Sequence, residues 1–141
     1  KLFVAGLAFV SLTAFANPYP YKITRVIDGD TVAFQADFLP APLKPELSIR
    51  VLGVDTPEKG HRAACPQEAA AAEKASQFTK DTLNSAIKAK QPVLIEIQKH
   101  DKYGGRVLGD VLINGQKLSA MLIANGHARP YFGKKKSSWC N

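Results

Sequence analysis

Ile49-Arg50-Val51-Leu52-Gly53-Val54-Asp55-Thr56-Pro57-Glu58 reads as a strand that carries one cation and runs into a turn presenting two acids. Pro57 has no backbone N–H to give to a ladder, so the strand stops before it. Upstream, Asp28-Gly29-Asp30-Thr31 forms a second acidic turn that can bring Asp30 alongside Asp55 and Glu58. One guanidinium and two or three carboxylates would then share a pocket, a grouping that is odd in a core and natural around a phosphodiester. Hard oxygen donors such as Asp30, Asp55 and the Thr56 carbonyl suit Ca2+ or Mg2+. A guanidinium fork suits phosphate oxygens.

Working outward, residues 21–27 alternate polar and β-branched side chains and read as a first strand. The acidic turn follows, and residues 31–38 resume the alternation with Val32, Phe34, Ala36 and Phe38 on one face, completing a hairpin. Pro40, Pro42 and Pro45 make residues 39–46 an extended surface loop. Residues 47–54 are the third strand, and residues 58–64 a loop. Pro66 suits the first position of a helix and Glu68 complements its dipole. That helix runs to about residue 89, with Ala75, Phe78, Leu83, Ala86 and Ile87 near one face. Strands four and five are expected at residues 93–98 and 107–113, on either side of the turn Asp101-Lys102-Tyr103-Gly104-Gly105-Arg106. Residues 118–125 form a short helix with Leu118, Met121 and Leu122 inward and Gly126 as its cap. The expectation is an α+β chain: a five-stranded oligonucleotide-binding (OB) β-barrel, one long helix between strands three and four, and a short helix after strand five.

A chain of 141 residues holds one compact domain, and its 45% hydrophobic and 22% charged residues are those of an ordinary globular protein, which excludes disorder throughout. The net charge of +7 favours an anionic partner such as nucleic acid or an acidic surface. Residues 1–16 differ in kind: Lys1, an apolar run from Leu2 to Val10, and a small-x-small ending at Ala14-Phe15-Ala16. They read as an export signal cleaved after Ala16, with further precursor residues expected before Lys1. A membrane anchor is the other reading, but the run is shorter than the ~20 residues a span needs. The expected destination is the periplasm or the medium, with no membrane association after cleavage. Cys65 and Cys140 form an even pair in an exported chain, so one disulfide is the natural expectation, against two free thiols. Such a bridge would close a loop of about 75 residues and stabilise the fold by about 4 kcal/mol.

Three ordered motifs are more specific than any of these features alone. Residues 27–32, Arg50 with Val54-Asp55-Thr56-Pro57-Glu58, and residues 101–106 together resemble the staphylococcal nuclease family, over residues 21–131. The resemblance implies an OB barrel bearing a Ca2+-dependent nuclease for DNA and RNA that leaves 3'-phosphate ends. It implies Asp30, Asp55 and the Thr56 carbonyl as metal ligands, and Glu58 as the residue that activates or orients water. Arg50 and Arg106 would bind phosphate, Asp28 would be an acid near the metal without binding it directly, and Tyr103, with Lys102 nearby, would lie beside the nucleotide. Three departures bear on the substrate groove. Gly104-Gly105 adds a residue before Arg106, the prolines of residues 40–45 lengthen the second hairpin, and the tail is too short for a long last helix.

The expected organisation is a signal at 1–16, a nuclease-like domain at 17–133 acting as a monomer, and a basic tail at 134–141. Lys134-Lys135-Lys136 would track a phosphate backbone or simply be solvated. Tyr131 would stack on a base or pack at the barrel edge. His61, His100 and His127 have no zinc-ligand spacing with the cysteines. A non-catalytic nucleic-acid-binding barrel is the alternative, yet it gives no reason for Asp30, Asp55 and Glu58, acids that repel phosphate unless a metal is bound.

Overall fold

A computed structural model describes residues 17–43 and 45–141, so the expected export signal lies outside the described residues. Five long strands carry the sheet: β1 (Ile23–Asp28), β2 (Thr31–Gln35), β3 (Glu46–Val51), β5 (Val93–His100) and β6 (Arg106–Ile113). Three two-residue strands are added: β4 (Val54–Asp55), β7 (Gln116–Lys117) and β8 (Arg129–Pro130). Two helices complete the order, α1 (Pro66–Lys88) between β4 and β5, and α2 (Leu118–Ala124) after β7.

The sheet runs β1-β2-β3-β6-β5. All pairings are antiparallel except β3 with β6, and α1 lies in the crossover that this parallel pair requires. Just upstream of β1, Tyr19 and Ile95 exchange backbone hydrogen bonds of 3.0 and 2.8 Å, so the path returns from β1 to β5 through one bridge. Inside sits a core of Val32, Phe34, Ile49, Ile95, Val111 and Leu122. Strand alternation supplies it: Ile49 and Val51 face inward, and Arg50 between them stays partly exposed.

Two details differ from the sequence reading. β2 ends at Gln35, after which Ala36 is buried and Phe38 turns half-exposed, because the chain leaves the ladder through turns at residues 37–38. Ile87 is also half-exposed, since the buried stripe of α1 follows Ala72, Ala75, Thr79, Leu83 and Ala86 in steps of three and four. Among the described residues no helix is long and apolar enough to cross a membrane.

Candidate active site

The first wall of the site is the β1–β2 turn. Gly29 lies flat on α1, where a Cβ would meet the Ala75 Cβ at 2.8 Å. Thr79 on the same helix donates its hydroxyl to the Gly29 carbonyl at 2.7 Å. The turn is thus clamped from behind, and Asp30 is held as a buried carboxylate. It accepts from Thr31 Oγ1 at 2.9 Å and from Arg50 Nε at 3.5 Å.

Register explains why Arg50 is there. Thr31 pairs with Arg50 across β2–β3, which sets the Arg50 side chain beside Asp30. Across the parallel pair, Arg50 lies opposite Leu108 and Ser48 opposite Arg106, so both arginines project from the face of the sheet away from the core. Arg106 donates to Asp101 across the β5–β6 turn. Burial works to raise the Asp101 carboxyl pKa, but hydrogen bonds from Arg106 and from the Lys102 N–H outweigh it and hold the pKa below the ordinary value.

The loop after β4 is the second wall. Glu58 is partly exposed and pairs with Arg62 Nε at 3.4 Å, while Arg62 and Lys59 reach Asp28 at 3.7 and 3.4 Å. Its backbone is fixed from α1. The buried Glu68 carboxylate accepts from the Glu58 N–H at 3.2 Å and from the Ala64 N–H at 2.7 Å. Glu68 is itself capped, its N–H donating to Cys65 Sγ at 3.4 Å.

These walls enclose a cleft of about 130 Å3 lined by Asp28, Asp30, Arg50, Thr56, Glu58 and Arg106, together with Thr31, Arg62 and Lys136. Asp55 is buried and is not among the residues that line it. Its Oδ1 is 2.9 Å from the Lys136 ammonium and its Oδ2 accepts from Trp139 Nε1 at 3.2 Å. A larger cavity of about 890 Å3 shares Arg50 and Arg106 and continues past Lys102, Tyr103 and Tyr131 to Phe132. Apart from Asp55, which lines neither, the residues singled out from the sequence as catalytic, metal-binding or substrate-binding fall into two adjoining spaces, one acidic and cationic, the other carrying Tyr103, Tyr131 and Phe132.

The profile of the staphylococcal nuclease homologue family matches residues 48–139, well over half of the chain. The chain belongs to that family. Among relatives it is similar to the thermonuclease of Staphylococcus hyicus, 35% identical over 121 residues, which is 83% of this chain and 62% of that protein. The thermonuclease of Staphylococcus intermedius is 34% identical over 116 residues, 79% of this chain and 60% of that one. The chain thus spans about three fifths of the length of these relatives.

Within this nuclease homologue, sequence reasoning missed the contacts that four residues make near the cleft. Arg62 and Glu68 act through the loop, and Lys136 and Trp139 arrive from the tail. Lys136, from the run expected to track a phosphate backbone or be solvated, stays half-exposed and leans on Asp55, because a buried carboxylate demands a countercharge. One signal was available, since the lone tryptophan stands next to Cys140. Cys65 and Cys140 are bonded, which brings that stretch to the start of α1.

Among the described residues no group of three or more His, Cys, Asp and Glu side chains converges as a metal cluster. The donor set nonetheless fits a hard cation. Two buried carboxylates and Thr56 offer only oxygen, and each carboxylate already attracts a positive group, Arg50 at Asp30 and Lys136 at Asp55.

Proposed function

We propose that this chain is an exported, Ca2+-dependent nuclease of low sequence specificity that hydrolyses phosphodiester bonds of DNA and RNA as a monomer and leaves 3'-phosphate ends. The observation that carries the reading is the shared cleft, in which Asp30, Thr56, Glu58 and two arginines line one small space. Family membership and the thermonuclease relatives support it.

In-line hydrolysis needs a water aimed at phosphorus and positive charge where the equatorial oxygens gain negative charge. Arg50 and Arg106 supply that charge from rigid strands, and each must give up its present acid, Asp30 or Asp101, to the incoming phosphate. Glu58 takes a proton from water or orients it. It is partly exposed, and the Glu68 carboxylate holds the Glu58 backbone N–H without touching the Glu58 carboxylate, which pairs with Arg62. Asp30, Asp55 and the Thr56 carbonyl would hold Ca2+, which when bound supplies Lewis-acid stabilisation of the transition state. The net positive charge draws nucleic acid in, and Tyr103, half-exposed at the rim of the larger cavity, offers a base a stacking face.

The test is cleavage of single-stranded DNA with Ca2+, with Mg2+ and with chelator. Cleavage that requires Ca2+ and yields 3'-phosphate ends is the expected result. Salt-sensitive DNA binding with no cleavage in either metal would replace the enzyme with a non-catalytic binding barrel.

A further inference from the structure

The tail after Gly133 adds little to the core, yet it returns to the site by three separate attachments. Cys140 is bonded to Cys65, the residue that caps α1. The Arg129 guanidinium lies 3.9 Å from the centre of the Trp139 ring and donates to the Ser138 carbonyl at 2.8 Å. The third attachment is to Asp55 itself, where Trp139 takes one carboxylate oxygen and Lys136 the other.

The two contacts act on a cation in opposite senses. An indole N–H fixes the rotation of the carboxylate and leaves lone pairs free, so a metal can bind with that hydrogen bond in place. An ammonium on the other oxygen is a competing charge that a dication must displace. Lys136 also lines the cleft beside Arg50 and Arg106, so once displaced it still faces the space where a phosphate would sit.

We infer that the tail is a working wall of the cation site, in which Trp139 is a positioning residue for Asp55, Lys136 is the internal cation that Ca2+ displaces, and the Cys65–Cys140 bond keeps both in place. The inference rests on the proposed role of Asp55 as a metal ligand. It adds a dependence of metal affinity on residues at the far end of the chain and on the oxidation state of one disulfide.

Trp139 is the only tryptophan, so its emission reads the tail directly. The full chain is titrated with Ca2+ by calorimetry and by tryptophan emission, beside Lys136→Met, Lys136→Arg, Trp139→Phe and the double variant Cys65→Ser/Cys140→Ser. Lys136→Met should bind Ca2+ about fivefold more tightly, since it removes one partly exposed ion pair, and Lys136→Arg should restore the original affinity. Trp139→Phe should bind about tenfold more weakly, the usual scale for losing an outer-shell partner of a ligand. In the double serine variant the emission should shift to that of a water-exposed indole and stop responding to Ca2+.

Lys136→Met is the safe arm, because a half-exposed lysine is not needed to fold the barrel. If the wild type binds Ca2+ and neither Lys136→Met nor Trp139→Phe moves the calorimetric midpoint, the inference is overturned and the proposed nuclease stands. If the folded wild type takes up no Ca2+, the cation site itself is lost and the inference with it.

Discussion

Asp30 and Asp55, the two buried carboxylates proposed as cation ligands, are held in different ways. Asp30 belongs to the sheet: its turn is clamped by Gly29 and Thr79 on α1, and its cation, Arg50, is set by the β2–β3 register. Asp55 sits in the short strand β4, but its side-chain partners come from the tail: Lys136 and Trp139, held by one disulfide and by the contacts of Arg129 with Trp139 and Ser138. A sheet register is enforced by every pair in the ladder, whereas a tail is enforced by its few attachments. The sheet half should therefore set whether the site can work, and the tail half how readily it takes up its cation.

The difference can be broken first at the covalent attachment. Reducing Cys65–Cys140 opens a loop of about 75 residues and should cost about 4 kcal/mol of stability, read as a lower urea midpoint with reductant. A midpoint unmoved by reductant would mean the tail is not pinned. Next comes the sheet half. Arg50→Ala should lower turnover about 10²–10³-fold, the scale for one charge-stabilising donor. Lys136→Ala should change turnover at saturating Ca2+ by less than about tenfold. Equal losses in the two would erase the distinction.

The smallest effect concerns Asp101 and Arg106. Because the folded pKa of Asp101 lies below the ordinary 3.8, its pairing contributes fully above that value and is lost only as pH falls through the lowered one. A carboxyl titration followed by NMR should find the midpoint below 3.8, rising when Arg106 is replaced by Ala. A wild-type midpoint at or above 3.8 would leave Arg106 without a standing partner.

What the sequence made legible follows the same division. The acidic turn, the strand of Arg50, the stop at Pro57 and the helix start at Pro66 are local signals, because turn chemistry and alternation act over a few residues. They lead to the five long strands, both helices and the cleft residues Asp28, Asp30, Arg50, Thr56, Glu58 and Arg106. The additions are long-range. Trp139 meets Asp55 across 84 residues, and Glu68 holds Glu58 across a turn that no periodicity announces. Ile87 was misplaced for a related reason: a 3.6-residue stripe is set by what covers the helix, and Ala86 took the inner position. The Lys136 contact with Asp55 was not legible, because a lysine run carries no sign of the buried acid waiting for it.

The most direct measurement is single-turnover cleavage of single-stranded DNA by Glu58→Ala beside its nucleotide affinity, at saturating Ca2+. Glu58 touches neither buried carboxylate, and its loop is held by Glu68 through the backbone, so binding should survive its loss. The account predicts cleavage slower by about 10²–10⁴-fold with affinity unchanged. Cleavage at the wild-type rate, or affinity lost in step with cleavage, would contradict it.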